Sequence, residues 1–256
     1  MCRGSWSVEE LRVESLSKNF GGVTVLRNIS FTVTREEKRV VIIGPNGAGK
    51  TTLFNLISGE LPASGGSIYL FGRDVTRMSC HRRTHLGLAR TFQITDLFPQ
   101  FTLMENVILA LQAHDPCHYQ MLRPLKNYHH LHEKAEALLK EMRLHEKKDY
   151  PITSLSHGET RLVEILLGIA SGPKILLLDE PTSGLTCSEG VWLAQLILNL
   201  LRGVTLLIIE HDMNIAFNLA ERMIVLHQGE IAADGKPEEI RADTRIKNIY
   251  LGTCYE

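Results

Sequence analysis

The sequence has no excess of charge of either sign. Its 256 residues carry 28 Lys and Arg against 29 Asp and Glu, a formal net charge of −1 with histidine neutral. No global basic field exists to hold nucleic acid or anionic lipid, and no nucleic-acid partner is expected. Long apolar runs are also missing: Val204 to Ile209 and Ile175 to Leu178 fall well short of the ~18 apolar residues that a membrane helix needs. Met1 to Glu10 has no apolar core after a basic start, so a secretory leader is not read and an intracellular chain is the expectation. Cys2, Cys80, Cys117, Cys187 and Cys254 are odd in number and scattered without a CxxC pair. That spacing argues against a disulfide frame and a zinc knuckle, and free thiols are expected. Internal repeats and low-complexity segments are absent.

What is present is an ordinary globular balance, 44% hydrophobic and 22% charged, far from the composition of disorder. At a prior of ~150 residues per domain, the length fits one large domain or a core with a subdomain grafted into it. Glu10 to Ser17 and Ile29 to Val33 roughly alternate apolar with polar residues, with Asn19 to Gly22 as the turn between them, which predicts a small antiparallel sheet. Arg39 to Ile43 is a continuous apolar run ending at a glycine, the pattern of a fully buried strand. Thr51 to Ile57 reads as a helix closed by Ser58-Gly59, and Gly65 to Phe71 as a hairpin strand.

From about Asp96 the character changes. Asn106 to Ala113 and Leu131 to Arg143 have helical spacing and no strand is read as far as Ser154, so a helical insert is expected, set at about residues 96–165. Beyond it, Lys174 to Leu178, Thr205 to Ile209 and Arg222 to His227 read as short buried strands, separated by helices over Val191 to Arg202 and Met213 to Glu221. Strands alternating with helices predict an α/β fold with a mainly parallel sheet.

Gly44-Pro45-Asn46-Gly47-Ala48-Gly49-Lys50-Thr51 fits a phosphate-binding loop, in which glycines let consecutive backbone N–H groups close around phosphate oxygens at a helix N-terminus. Lys50 adds charge toward the β and γ phosphates, Thr51 offers a hydroxyl to Mg²⁺, and Thr52 completes the expected ATP-binding set. Asp179-Glu180 follows the apolar strand, at the strand end where ligands bind in open parallel sheets. Asp179 is expected in the Mg²⁺ shell and Glu180 as the base that polarises the attacking water. A plain acid pair complementing a helix dipole is the alternative.

Leu155-Ser156-His157-Gly158-Glu159, lying before Asp179 in the chain, resembles the LSGGQ signature of ATP-binding-cassette ATPases; alone, it is equally a helix capping box. The resemblance covers roughly Leu11 to Gly252 and implies a P-loop NTPase (RecA-like) core with an antiparallel β subdomain and an inserted helical subdomain. It implies that Phe20 stacks on adenine, that Gln93 senses Mg²⁺ and the transmembrane partner, and that His211 contacts the γ-phosphate. It also implies that Ser156, His157, Gly158 and Glu159 reach the ATP of a second cassette.

Within the family the chain most resembles ATP-binding subunits of branched-chain amino acid importers of the high-affinity Liv type. The likeness rests on Phe20-Gly21-Gly22, Thr52-Leu53-Phe54-Asn55, Gly87 to Gln93, Leu97-Phe98-Pro99, Glu105-Asn106-Val107 and Tyr250-Leu251-Gly252. Urea and other amide-type importers share much of it, and a soluble cassette ATPase or a non-hydrolysing regulatory module are the readings outside transport. Two permease subunits, an extracytoplasmic binding protein and a place on the cytoplasmic face of the cell membrane are implied.

Two positions depart from the family. Thr186 replaces the usual D-loop Asp or Asn, which implies weaker signalling across the dimer on this side, and Glu159 replaces the final signature glutamine. His114, His118, His129, His130, His132 and His145 crowd the insert around Cys117. His129-His130-x-His132 lacks the i, i+4 spacing of a ligand pair, no acid cluster supports a metal, and the group reads as a solvated face.

Overall fold

A computed structural model describes residues 8–91, 98–113, 115, 128–201 and 203–252. Cys2, Phe92, Gln93, Asp96, Leu97, His114, Cys117, His118, Arg202 and Cys254 fall outside them. The chain opens with β1 (Glu9–Phe20), β2 (Val23–Thr34), β3 (Arg39–Ile43), α1 (Lys50–Ser58), β4 (Gly65–Leu70), β5 (Arg73–Asp74), α2 (Cys80–Leu86) and β6 (Leu88–Arg90). A helical stretch follows with α3 (Leu103–Gln112), α4 (His129–Glu141) and α5 (His157–Ala170). Then come β7 (Ile175–Asp179), α6 (Cys187–Leu200), β8 (Thr205–Ile209), α7 (Met213–Leu219), β9 (Arg222–His227), β10 (Glu230–Gly235), α8 (Pro237–Ala242) and α9 (Thr244–Gly252).

One sheet is antiparallel, in the order β2-β1-β4-β5, and the other runs β10-β9-β3-β8-β7-β6, parallel except for β10. The first hairpin is longer than its alternation suggests: Asn19 lies in β1 opposite Thr24, and only Gly21 and Gly22 turn. Both have positive φ, 51° and 98°, as a two-residue hairpin turn requires. Register shifts beyond Val13 and Leu16, with Ser15 at φ 48°, break the period of two that sequence patterning depends on.

The parallel strands are buried on both faces, and their residues alternate between two cores. Val40, Ile42, Ile175, Leu177, Leu207 and Ile209 share a core with α1 and the antiparallel sheet. Val41, Ile43, Leu176, Leu178, Leu206 and Ile208 pack on the other side with α3 to α7. A period of two across a double-sided sheet produces this split. Each fully buried Leu or Ile contributes ~1.5–3 kcal/mol relative to exposure.

α1 is held at both ends. Gly59 closes it at φ 85°, its N–H donating to Leu56 O. Arg83, 1% exposed, donates to the carbonyls of Leu56 and Ile57 at 2.7 Å each and to Met78 O at 3.0 Å. A cation on the last carbonyls favours the negative end of the helix dipole.

α3 starts at Leu103, earlier than its apolar spacing indicates. Thr102 accepts from Glu105 N, and Glu105 accepts from Thr102 N at 2.8 Å, a capping box that fixes the start. Buried Asn106 accepts from Phe98 N at 2.9 Å and donates to Phe98 O at 3.1 Å and Thr102 O at 3.0 Å, stapling the loop that precedes α3.

Candidate nucleotide-binding site

Four neighbouring parallel strands, β3, β8, β7 and β6, deliver the chemistry to one edge of the sheet. At or just past their carboxyl ends lie Gly44 to Gly49, Glu210-His211, Asp179-Glu180 and Arg90-Thr91. Residues scattered along the sequence meet because the strand order places them side by side.

The loop after β3 wraps onto the start of α1. Gly47 and Gly49 have positive φ, 77° and 101°, a conformation open to glycine at no steric cost. A Cβ on Gly49 would also sit 2.6 Å from Leu26 Cδ2. Gly49 caps α1 without a side-chain hydrogen bond, so the first amides of the helix face the cleft. That cleft, about 380 Å³, is lined by Val25, Asn46 to Thr52 and Glu180. Lys50, 7% exposed, donates to Gly44 O at 2.7 Å and Pro45 O at 3.1 Å. Burial pushes its ammonium below the usual lysine value, against the pull of Glu180 and Asp179.

Glu180 adopts φ 46°, a left-handed backbone that costs ~1–3 kcal/mol in a residue with a side chain. The surroundings over-determine it. Its N–H donates to Ile209 O at 3.0 Å, while Arg161 of α5 donates to the carbonyls of Asp179 and Glu180 at 2.7 Å each and of Pro181 at 3.2 Å. Glu180 Oε2 lies 3.8 Å from His211 Nδ1, ion-pair range rather than a hydrogen bond. Asp212 caps α7, accepting from Asn214 N at 2.8 Å and Ile215 N at 3.2 Å, and so fixes the loop that carries His211.

Asp179 is engaged: Oδ2 accepts from Arg90 Nη2 at 2.8 Å. Glu210, fully buried, accepts from Thr182 Oγ1 at 2.9 Å and Thr182 N at 3.3 Å, and burial pushes its carboxyl up. Sequence reasoning missed Arg90, Arg161 and Glu210. Only Glu210 had a local signal, its place between an apolar strand and His211.

The remaining expected residues stand apart from the cleft. Phe20, 44% exposed, ends β1 with the Lys18 ammonium 4.8 Å from its ring centre, and it does not line the cleft. Ser156 caps α5, accepting from Glu159 N, while Glu159 accepts from Ser156 N at 2.9 Å and from Lys147 Nζ at 2.5 Å. The ring of His157 lies on Gly184, where a Cβ would come within 2.7 Å of Nε2. Thr186 caps α6 and gives its hydroxyl to Glu189 at 2.7 Å.

Known proteins resemble this chain in sequence and fold. The family model described as ABC transporter matches residues 26–183, a span running from β2 through the phosphate loop and the signature to Glu180. The chain belongs to the ABC transporter family. This cassette is 36% identical to the high-affinity branched-chain amino acid transport ATP-binding protein BraF of Pseudomonas aeruginosa, covering 94% of the chain and 97% of that protein. It is 34% identical to the lipopolysaccharide export system ATP-binding protein LptB of Acidithiobacillus ferridurans, covering 97% and 99%. Among solved structures, the ADP conformation of MJ1267, an ATP-binding cassette of an ABC transporter, superposes with a TM-score of 0.85 at 32% identity, covering 95% of the chain and 99% of its own. The cassette is thus an ATPase subunit of the kind that powers transport, with the P-loop core, antiparallel sheet and helices expected of it. No helix among its described residues is long and apolar enough to cross a membrane.

Proposed function

We propose that the cassette hydrolyses ATP to drive an importer of branched-chain or related amino acids, acting at the cytoplasmic face of the cell membrane. One observation carries the catalytic part: the cleft of Asn46 to Thr52 has Glu180 as a wall, with His211 3.8 Å from its carboxylate. Similarity to BraF and the Liv-type run Gly87 to Gln93 support the substrate class.

In this reading the triphosphate of ATP lies along the amides of residues 46–51, with Phe20 against adenine. Lys50 leaves the carbonyls of Gly44 and Pro45 for the β and γ phosphates. Glu180 takes the proton of the water attacking in line, and His211 donates to a γ-phosphate oxygen. Thr51, Asp179 and Gln93 would hold Mg²⁺, and their hydroxyl, carboxylate and amide oxygens are the hard donors that ion takes. When bound, it neutralises charge on the phosphate oxygens.

Ser156, His157, Gly158 and Glu159 face the γ-phosphate on a second cassette, so that two ATP close a dimer and hydrolysis opens it. The helical insert of about residues 96–165, with Gln93, passes the motion to two permease subunits, to which an extracytoplasmic binding protein delivers substrate. Exposed Phe98 and Phe101, stacked with centroids 5.5 Å apart, support this lobe as the docking face. Similarity to LptB favours a second reading, an export assembly.

Affinity purification from detergent-solubilised membranes separates the two readings. Recovery with two permeases and substrate-stimulated hydrolysis supports the importer, and recovery with lipopolysaccharide-export subunits supports the second reading. Glu180→Gln is expected to keep ATP binding and to lower turnover by about 10²- to 10⁴-fold, the range for losing a positioned base. Unchanged turnover removes Glu180 from that role.

A further inference from the structure

We propose that Arg90 is a positioning residue of this site, holding the Asp179 carboxylate in the orientation that the metal accompanying the nucleotide requires. The inference rests on the role given to Asp179 above. Arg90 closes β6, the edge strand beside β7, three residues before Gln93 in the chain. Its guanidinium is held from both sides of the site. Nη2 donates to Asp179 Oδ2 at 2.8 Å, and Nη1 donates to Asn55 Oδ1 at 2.5 Å and to Glu60 Oε2 at 3.0 Å. Asn55 lies in α1 and Glu60 just beyond its end, while the guanidinium carbon is 5.9 Å from the centre of the buried Phe54 ring. One side chain therefore ties the helix that begins at the phosphate loop to the strand that carries Asp179.

Two effects on a bound cation compete. The guanidinium charge repels it, and the planar fork orients the carboxylate that would hold it. Glu60 decides between them: the same Nη1 is paired with that carboxylate, so the Arg90 and Glu60 charges cancel at longer range and repulsion is weak. Orientation is left as the main effect. The side chains of Arg90 and Asp179 are 11% and 21% exposed, so solvent does not replace the bond cheaply. Partners that hydrogen-bond to a metal ligand are worth about 10- to 100-fold in metal affinity. Lysine does not replace arginine here, because a point charge cannot engage acceptors on both α1 and β7 with fixed geometry.

The test is Mn²⁺ binding to the purified, ADP-bound chain, followed by electron paramagnetic resonance, with ADP affinity measured separately in EDTA. Arg90→Met is expected to weaken Mn²⁺ binding by about 10- to 100-fold while metal-free ADP affinity changes less than about 2-fold. Arg90→Lys is expected to restore little of the loss. Asn55→Ala, which removes one brace and leaves the Arg90–Asp179 bond, is expected to fall between wild type and Arg90→Met and serves where Arg90→Met does not fold. Unchanged or tighter Mn²⁺ binding in Arg90→Met, or full rescue by lysine, overturns the inference and leaves the site reading standing. A wild-type chain whose Mn²⁺ binding is insensitive to Asp179→Asn overturns the site reading itself, and the inference with it.

Discussion

Helices α1 and α5 both begin at a motif read as an anion site, and they stand in opposite states. α1 starts at Gly49, which has no side chain to spend on its own amides. α5 starts at Ser156, whose hydroxyl accepts from Glu159 N while the Glu159 carboxylate reaches back to Ser156 N. The first is open and faces a cleft made within one chain. The second is closed by a capping box, so by helix geometry the amides of His157 and Gly158 are the donors left for a ligand. In the proposed dimer, an anion brought by a second cassette must also approach the carboxylate of Glu159. Lys147, 2.5 Å away, offsets that charge where the LSGGQ pattern has a neutral glutamine. In the proposed dimer the phosphate loop is open to its ligand as it stands, whereas the signature offers a partner's phosphate only the amides that its capping box leaves over.

Breaking the open side has the largest effect. Lys50→Ala removes the one charged donor of the loop, and charge-assisted bonds contribute ~1.5–3 kcal/mol. ATP affinity is expected to fall by about 10- to 100-fold in an equilibrium binding measurement. Unaltered affinity detaches Lys50 from the nucleotide. Breaking the closed side acts differently. Ser156→Ala removes a helix cap and is expected to cost ~0.5–2 kcal/mol of stability, read by denaturant unfolding. The chain's own ATP affinity stays at the wild-type value, and ATP-driven dimerisation weakens. A loss of ATP affinity in the monomer would place Ser156 at the wrong site.

The same contrast explains what the sequence could reveal. The loop after β3 is contiguous, and β3, β8 and β9 are apolar runs buried on both faces, so their composition alone marked their bounds. β6 has three residues, and α2 reads CHRRTHL with no apolar period, so neither left a pattern. Arg90 meets Asp179 across 89 positions of chain, a pairing made only by the strand order. The φ of Glu180 is likewise set by Arg161 and Ile209, not by its sequence neighbours. Thr186, where weaker signalling across the dimer is expected, also caps α6, and its hydroxyl donates to Glu189.

Glu159→Gln sharpens the comparison with the smallest effect. Removing the carboxylate lets the second anion approach without repulsion, and ATP-driven dimerisation is expected to tighten by about 2- to 5-fold, the scale of a partly screened surface charge. A pH series isolates the same group. Burial pushes the Glu159 carboxyl up, but hydrogen bonds from Lys147 and Ser156 outweigh it and hold the group below its usual value. A carboxyl depressed in the folded chain adds stability that is present above its unfolded value of ~4.3 and is lost as pH falls through the lower folded value. Glutamine has no such charge to lose. The stability gap between wild type and Glu159→Gln is therefore expected to hold from pH 7 to about pH 5 and to narrow below pH 4 in denaturant unfolding. A gap that stays constant down to pH 3 means that Lys147 and Ser156 do not hold the carboxylate, and that the signature helix is shut by its hydroxyl cap alone.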